Sequence, residues 1–206
     1  MVLKGSIVFD VGCDHALLPI YLVKNGFALK AYASDNKSGP LNKAKENIKR
    51  YHLEDRIKTV LADGLDKVSA DADTVIIAGM GPLTALAILE KADLTRFKNI
   101  IIQVNRHEEK IREFISLNNY TIIDEDIVYD DFFYPIIKFN TDHHESYKPE
   151  ELRLGPILLK KRSPVFKEYL SHEVKRLTDD LKKADDPLDK RHLELMMIKA
   201  ALNKQD

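Results

Sequence analysis

The sequence predicts an α/β fold built around a mostly parallel sheet. Up to about residue 140, short apolar runs alternate with helical patterns, the order that produces parallel strands joined by helical crossovers. The strand patterns at 120–128 and 132–139 have only three residues between them, so they predict an antiparallel hairpin that closes the sheet. Two helical stripes of apolar residues after Pro164 predict an antiparallel, coiled-coil-like helical hairpin at the C-terminal end.

The alternating part of the chain contains short strand patterns, each followed by a turn or a helical pattern. Gly26 follows the first helix in the C-cap position, and Ser38 is the expected N-cap of the second helix. The predicted strands span 7–10, 31–35, 57–61, 74–78 and 100–103. The predicted helices span 17–25, 38–51, 82–91 and 107–117.

The C-terminal part follows a polar linker at 141–149. Pro164 opens a long helix whose apolar residues recur at three- and four-residue spacing. Asp186 is the expected N-cap of the next helix, with Pro187 in its first helical position. We therefore expect one domain at 1–147 and a helical hairpin at 148–206.

Composition predicts a globular, cytoplasmic protein. The net charge is −1 over 206 residues, which gives no global electrostatic case for nucleic-acid binding. From Lys148 onward, however, 14 Lys and Arg stand against 11 Asp and Glu, an excess compatible with a polyanionic partner or with a solvated helical surface. The single cysteine fits a reducing compartment. No apolar run reaches membrane-spanning length, and the N-terminus does not resemble a signal peptide.

The closing hairpin also indicates the kind of ligand. A dinucleotide-binding sheet would close with another crossover, whereas a terminal hairpin is the usual mark of the S-adenosylmethionine-dependent methyltransferase variant. We therefore predict a Rossmann-like class I methyltransferase sheet whose last strand is antiparallel. S-adenosylmethionine is the expected cofactor.

Acidic residues and glycines follow successive strands of this sheet. Because the carboxyl ends of parallel strands share one edge, these residues are expected to meet there and bind a nucleotide-like ligand. Asp35 is placed to accept the ribose hydroxyls, unless it is simply an acid at a helix N-terminus. Asp63 is placed to accept from the adenine amine, although Asp-Gly is also a common turn. The expected cofactor contacts are Asp10, Gly12, Asp14, His15, Asp35, Asn36, Asp63, Gly64, Gly79 and Met80.

Four residues are candidates for the chemical step. Asp14 and His15 lie in the first turn, where Asp14 either caps the first helix or faces the transferred methyl group or the incoming base. The amide of Asn105 either binds a base edge or satisfies backbone groups of a loop. Tyr134 either stacks on a flipped base or belongs to the core, as strand aromatics more often do. Cys13 is expected to pack, not to react.

Two polar clusters follow the sheet. The adjacent residues His143, His144 and Glu145 lack metal-ligand spacing, so no metal is expected there. The basic run at 160–162, at the entrance to the helical pair, indicates either phosphate contacts or a solvated turn.

Together these motifs resemble the bacterial tRNA (adenine-N1)-methyltransferases that modify adenine 22. The resemblance covers nearly the whole chain, including the C-terminal helical pair. Its most specific parts are the turn Gly-Cys-Asp-His-Ala-Leu-Leu-Pro and the strand end Ile-Ala-Gly-Met-Gly. The matching segments are 10–19, 33–35, 62–65, 77–81, 103–105 and Tyr134.

The resemblance implies S-adenosylmethionine-dependent methylation of N1 of adenine 22 in tRNA. N1 lies on the Watson–Crick edge, so the base must leave its stack. Asp14 would then stabilise the positive charge that develops on the base. The helical pair would read the tRNA, and a monomer is favoured over self-association through the apolar stripes. The expected phosphate contacts are Lys160, Lys161, Arg162, Lys175 and Arg176, with Lys182 and Lys183 as further candidates.

Three features depart from the family pattern and keep other functions open. Family members usually carry a helix ahead of the first strand, whereas Ile7 is here only a few residues from the start. Pro82 stands where a second glycine is usual, and Val104 where a proline is usual. The alternatives are a methyltransferase acting on a small molecule or a protein, and an S-adenosylmethionine-binding protein without turnover.

Overall fold

A seven-stranded sheet forms the centre of the molecule. The computed structural model describes residues 1–144, 146–184, 186 and 189–204. The strands are β1 (Ser6–Val11), β2 (Ala28–Asp35), β3 (Ile57–Leu61), β4 (Thr74–Met80), β5 (Asn99–Val104), β6 (Thr121–Asp130) and β7 (Phe132–Asn140). They lie in the order β3-β2-β1-β4-β5-β7-β6, and β7 runs antiparallel to both of its neighbours. The predicted parallel sheet with an antiparallel last strand is therefore confirmed.

The helices fall into two groups along the described part of the chain. Those that cross over between strands are α1 (Leu17–Lys24), α2 (Ser38–Arg50), α3 (Pro82–Glu90) and α4 (Glu109–Leu117). Those that follow the sheet are α5 (Pro149–Leu154), α6 (Pro156–Lys161), α7 (Pro164–Ala184) and α8 (Arg191–Asn203). The last two, α7 and α8, pack against each other, which confirms the helical hairpin. Across the described residues, no helix is both long enough and apolar enough to cross a membrane.

Apolar side chains cover both faces of the sheet, as expected of buried parallel strands. In β1, Phe9 and Val11 pack in one cluster that includes Ile111 of α4. The intervening Val8 packs in a second cluster that includes Ile20 of α1. With both faces covered by helices, the loops at the carboxyl ends of the strands meet along one edge, where a ligand site can form.

Strands β2 and β4 are longer than predicted. β2 begins at Ala28, which pairs with Ser6 across an irregularity in the register next to Ile7. β4 continues to Met80 because Gly79 takes a left-handed φ of +75° and shifts the register of the ladder without ending it. The β4 extension begins at a glycine and the β2 extension includes Lys30, so the apolar pattern stopped short of both.

Two N-caps differ from the predicted ones, and one helix begins later than predicted. Ala16, not Asp14, is the N-cap of α1, and no side chain caps that helix. Ala16 and Asp14 have left-handed φ values of 57° and 49°, so the chain turns before the helix begins. Lys37 takes the N-cap position of α2 that was predicted for Ser38. His107 also has a left-handed φ, of 57°, so α4 begins later than predicted.

The β6–β7 turn is tighter than predicted, and the last helix begins later than predicted. Asp131, with a φ of 58°, is the single residue between β6 and β7, because Asp130 pairs with Phe132. Lys190, not Asp186, is the N-cap of α8. The predicted first helical residue, Pro187, lies outside the described residues.

A buried ion pair attaches the C-terminal helices to the sheet. Arg112 Nε of α4 lies 2.7 Å from Glu125 Oε1 of β6, and both side chains are inaccessible to solvent. Glu125 Oε2 also accepts the N–H of Ile157 at the start of α6, at 2.9 Å. Arg112 donates to the carbonyl groups of Leu152 and Arg153 at the end of α5. The pair therefore satisfies backbone groups of both helix ends at the α5–α6 corner.

An apolar cluster continues this attachment. Ile127 of β6 and the half-buried Phe133 of β7 pack with Phe166 and Leu170 of α7 and with Ile198 of α8. Residues from the predicted domain at 1–147 and from the helical segment after it thus share one cluster.

Candidate active site

A cleft of about 350 Å³ opens at the carboxyl edge of the sheet. It is bounded by the ends of β1, β2 and β4, by the loop after β3 and by α3. Open α/β sheets bind ligands at this edge, and small-molecule sites span roughly 300–1,000 Å³. Of the predicted cofactor contacts, the cleft brings together Gly12, Asp35, Asn36, Asp63, Gly64 and Met80.

Gly12 keeps the first loop open beside Met80. The N–H of Cys13 donates to the carbonyl of Ser34 at 2.8 Å, which ties this loop to β2. Gly12 has a φ of +72°, and a Cβ atom there would lie 2.3 Å from Met80 Cε. A side chain at this position would therefore push Met80 into a new position within the cleft.

Asp35 and Asn36 line the cleft where β2 ends. One carboxylate oxygen of Asp35, Oδ1, accepts the N–H of Lys37 at 2.9 Å, which fixes the side chain at the start of α2. A carboxylate can accept about four hydrogen bonds, so this group can also receive a pair of hydroxyl groups.

The loop after β3 forms a narrow slot against α3. Gly64 has a φ of +60°, and a Cβ atom there would lie 3.1 Å from Ile88 Cγ2. Asp63 is exposed at the rim of this slot, and its N–H donates to Asp66 Oδ1 at 3.0 Å. Small groups on one side, an apolar side chain on the other and a carboxylate at the rim suit a flat purine with an exocyclic amine.

Gly79 lies outside the lining of the cleft, where side-chain amides hold it on both sides. Its N–H donates to Gln103 Oε1 at 2.8 Å, and its carbonyl accepts from Asn105 Nδ2 at 3.1 Å. The N–H of Asn105 also donates to the carbonyl of Met80 at 3.1 Å. These amides thus position the end of β4. The side-chain carbonyl of Asn105 accepts no hydrogen bond from any residue that the structure describes.

Asp14 and His15 are exposed in the loop between β1 and α1, outside the lining of the cleft. His15 Nε2 lies 3.4 Å from Asp14 Oδ1. The carbonyl of His15 accepts from Asn47 Nδ2 at 2.9 Å, which anchors the loop to α2. The pair follows Gly12 closely along the chain and is open to a group that approaches from solvent.

Two buried titratable groups lie at this turn: the Asp10 carboxyl group near the end of β1 and the Cys13 thiol in the loop. Asp10 is 4% exposed, and its carboxyl group has no hydrogen-bond partner among the described residues. Burial raises the pKa of Asp10 from 3.8 to about 7. Burial also raises the pKa of the Cys13 thiol to about 12, so Cys13 stays protonated and packs in the apolar cluster with Val8 and Ala16.

Tyr134 and Asn105 lie near the same end of the β5–β7 ladder. The antiparallel ladder ends where Gln103 pairs with Ile136; Asn105 follows Gln103 by two residues, and Tyr134 precedes Ile136 by two residues in β7. Tyr134 is half-buried at the carboxyl edge of the sheet. Phe133 points to the other face, where its ring centroid lies 5.6 Å from that of Tyr169 in α7.

Three of the predicted phosphate-binding residues hold parts of this chain together. Lys161 Nζ donates to Asp124 Oδ1 at 2.6 Å. Arg176 pairs with Glu173 on the same helix at 2.8 Å. Arg162 donates to backbone carbonyl groups at the end of α8, the shortest contact being 2.7 Å.

Most of the remaining basic candidates have no ion pair among the described residues. Lys160, Lys175 and Lys183 are exposed, and none of them forms an ion pair within the described residues. Lys182 pairs with Asp179 at 3.1 Å. The helical hairpin therefore presents fewer free cations than its composition indicates.

Helix α3 supplies cleft residues that the sequence did not predict. Thr84, Ala87 and Ile88 line the cleft, together with Lys91 just after the helix. The segment Pro82–Glu90 is apolar on nearly every side, so no amphipathic stripe identifies the face that meets the ligand. The spacing of three and four residues among these positions was the available signal, since it places them on one face.

Of the two histidines after β7, His144 has a structural contact. His144 stacks on Tyr147 with ring centroids 4.1 Å apart, and Glu145 lies outside the described residues. Within the described ranges, no group of three or more His, Cys, Asp or Glu residues could hold a metal ion.

The sheet order and the cleft define a class of protein. An antiparallel β7 between β5 and β6, with a glycine loop after β1 and acids after β2 and β3, is the Rossmann-like arrangement of class I methyltransferases. Within this class, the model of the tRNA (adenine(22)-N(1))-methyltransferase family matches residues 8–205. The chain therefore belongs to the tRNA (adenine(22)-N(1))-methyltransferase family.

Individual relatives agree with the family match. A tRNA (adenine(22)-N(1))-methyltransferase of Bacillus subtilis (strain 168) is 33% identical over 180 residues, which cover 83% of this chain and 76% of the relative. A Streptococcus pneumoniae structure in complex with S-adenosyl-L-methionine is 30% identical, with a TM-score of 0.88 over 98% of this chain and 94% of that one. M. capricolum TrmK in complex with S-adenosyl-homocysteine is 31% identical, with a TM-score of 0.82 over 98% and 93%.

Proposed function

We propose that this chain methylates N1 of adenine 22 in tRNA, with S-adenosylmethionine bound in the cleft. The family match over residues 8–205 supports the proposal, because it spans both the cleft and the C-terminal helices. The cleft itself supports the cofactor, because two of its glycines stand where a Cβ atom would meet Met80 or Ile88.

Each part of the cofactor has matching residues. Asp35 and Asn36 would bind the ribose hydroxyls, and the slot between Gly64 and Ile88 would hold the adenine. The backbone around Gly12 would face the amino-acid part, since no side chain stands there. When bound, S-adenosylmethionine supplies an electrophilic methyl group on its sulfonium centre.

The residues beyond the cleft would hold the target base. Adenine N1 carries its own lone pair, so orientation of the base is the main task of the protein. The uncommitted carbonyl of Asn105 can accept from the exocyclic amine of the flipped adenine, and Tyr134 can stack on its ring. The Asp14 carboxylate, 73% exposed beside His15, would stabilise the positive charge of the methylated base.

The tRNA would contact the helical segment 148–206 through phosphate groups. Lys160, Lys175 and Lys183 are the exposed candidates there without an ion pair among the described residues, and Lys161, Arg162 and Arg176 would contribute positive charge from their places in the helical packing. We further propose a monomer, because the apolar stripes of α7 and α8 already pack on each other and on the β6–β7 hairpin. We propose a cytoplasmic location, because the single cysteine fits a reducing compartment.

The test is transfer of labelled methyl from S-adenosylmethionine to an unmodified tRNA transcript, beside a transcript in which adenine 22 is changed to guanine. We expect N1-methyladenosine in the first and no label in the second. Label in both transcripts would refute the assigned position. Cofactor binding without transfer to either transcript would favour the non-catalytic alternative.

The role of Asp14 is tested by Asp14→Asn in the same assay. We expect the transfer rate to fall about tenfold or more, because the amide removes the charge opposite the cationic product, while S-adenosylmethionine affinity is retained. Asp55→Asn removes the same charge from an exposed loop after α2 and serves as the control. Wild-type rates for Asp14→Asn would exclude the electrostatic role.

A further inference from the structure

A groove between α2 and the edge strand β3 carries three exposed lysines. Lys45 and Lys49 lie four residues apart on one face of α2, and Lys58 faces them from β3. Buried Ile48 and Ile57 lie between them, and the groove encloses about 500 Å³. We call this the α2–β3 groove.

The positive charge of the α2–β3 groove is not neutralised from within. Lys45, Lys49 and Lys58 form no ion pair or side-chain hydrogen bond with any described residue, and Glu54 is the one carboxylate among the described residues of the lining. Lys43, on the same helix, pairs with Glu46 at 2.9 Å. Like charges four residues apart repel each other along a helix, so an anion bound between Lys45 and Lys49 would relieve that repulsion.

The groove lies at the β3 edge of the sheet, toward the strand ends opposite the cleft, because Ile57 and Lys58 begin β3. Helix α2 begins two residues after Asn36, which lines the cleft. At a rise of about 1.5 Å per residue, Lys45 and Lys49 lie roughly 10 and 16 Å along the helix from its start. An RNA of several nucleotides spans this distance, so an RNA whose target base is held at Asn105 and Tyr134 can also extend its backbone along α2 to the groove.

The groove is favoured as a phosphate-binding surface because several basic residues elsewhere already have partners within the chain. Lys161, Arg162 and Arg176 of the C-terminal helices already bind partners within the chain. The groove lysines instead keep their side-chain donors for a ligand, and a long polyanion is the ligand class that neutralises several cations in a row.

We infer that the α2–β3 groove binds the ribose–phosphate backbone of the tRNA, as a second contact surface beside the C-terminal helices. The inference rests on the proposed function, since that function supplies the RNA. The contact is sequence-independent, so it sets affinity and orientation and leaves the choice of adenine to the residues that hold the target base.

The test compares the triple variant K45Q/K49Q/K58Q with the control K30Q/K43Q/K98Q. Both variants lose three positive charges, but each control lysine already pairs with an acid in the chain. Glutamine has nearly the helix propensity of lysine, so α2 is retained, and circular dichroism checks the fold. Affinity for the tRNA transcript is measured from about 50 to 200 mM salt, the range over which phosphate contacts are strongly screened.

We expect the groove variant to bind tRNA about tenfold or more weakly near 0.1 M salt. Its plot of log affinity against log salt should become less steep, with the magnitude of the slope smaller by about two to three, close to one for each phosphate contact removed. S-adenosylmethionine affinity, and the transfer rate at saturating tRNA, should match the wild type. The control should keep the wild-type slope.

Equal affinities and slopes in all three proteins would overturn the inference, even with methyl transfer intact. Equal losses in both variants would overturn it too, because they would reflect net charge alone. Failure of the wild-type protein to methylate tRNA would count against the proposed function, and it would be visible in the wild-type arm alone.

Discussion

Gly12 combines a left-handed backbone with a close approach to the thioether of Met80. In Gly12→Ala, the φ of +72° and a Cβ atom 2.3 Å from Met80 Cε would act together. We expect a loss of about 1–2 kcal/mol in the free energy of unfolding from the backbone alone. We also expect S-adenosylmethionine to bind about tenfold or more weakly, because the displaced Met80 side chain stays in the cleft. Calorimetric titration and thermal melts measure the two effects.

Gly39→Ala is the matched control for that substitution. Gly39 lies in α2 without a left-handed φ, and a Cβ atom there would meet nothing within 4 Å. We expect unchanged cofactor affinity and a stability equal to the wild type or up to about 1 kcal/mol higher. Equal cofactor affinity in both alanine variants would refute the role given to Gly12.

Asp10 should make the stability of the protein depend on pH. The folded state holds the Asp10 proton up to about pH 7, whereas the unfolded state releases it near 3.8. Because the folded state binds more protons across this interval, stability falls as the pH rises through it, and changes no further above it. In Asp10→Asn this contribution is absent. The difference in unfolding free energy, variant minus wild type, should therefore rise by up to about 1.4 kcal/mol per pH unit.

Urea unfolding followed by circular dichroism measures this difference, since the chain has no tryptophan. The cost of burying an amide in place of the carboxyl group does not change with pH, so it shifts the difference by a constant and leaves its slope unaffected. Parallel stability curves for wild type and Asp10→Asn between about pH 4 and pH 7 would contradict the expectation.

Several site residues could be found from the sequence because strand ends are visible there. Asp35 is the last residue of β2, Asp63 follows β3 by two residues, and both line the cleft. Gly79 also follows the rule, yet it faces the amides of Gln103 and Asn105. Position at a strand end predicts the edge of the sheet, but the direction in which each residue faces depends on local φ values and on partners distant in sequence.

At the scale of elements, the α5–α6 corner depends on one buried ion pair. In Arg112→Met, the Glu125 carboxylate would remain buried without its cation, while carbonyl groups at the end of α5 would lose a donor. We expect a loss of about 3–5 kcal/mol in the free energy of unfolding. Urea denaturation measures it, and Lys43→Met is the control, since its ion pair with Glu46 is exposed and should contribute less than about 1 kcal/mol.

A double variant, Arg112→Met with Glu125→Leu, separates charge burial from packing. If the unpaired carboxylate dominates the cost, the double variant should be more stable than Arg112→Met alone. A double variant that loses the sum of both single changes would show that the two side chains act independently.

The elements themselves were largely predictable, and their attachments were not. β3 spans the predicted 57–61, and the β6–β7 hairpin follows from two alternating apolar patterns. The Arg112–Glu125 pair joins residues 13 positions apart on a helix and a strand, so no periodicity reveals it. The short helices α5 and α6 stop at a corner that this pair holds, and their ends therefore depend on tertiary contacts.

At the scale of the whole molecule, the number of basic residues in a segment differs from the number that are free to bind a ligand. The segment from Lys148 onward has an excess of basic residues, but several of them join helices to each other or to the sheet. Helix α2 lies in the part of the chain where acids outnumber bases, yet Lys45 and Lys49 are exposed and unpaired among the described residues. Composition could not predict this distribution, because ion pairing is decided by the fold.

The place of β3 at the end of the sheet has a second consequence. An edge strand offers unpaired backbone groups to which a strand of another molecule can add, and natural proteins often protect such edges with lysine. Lys58 lies on this edge, so its charge also opposes aggregation. A valine there would leave an apolar, uncharged edge next to Ile57, whereas glutamine keeps it polar. The same lysine can thus serve solubility when the protein is free and phosphate binding when RNA is present.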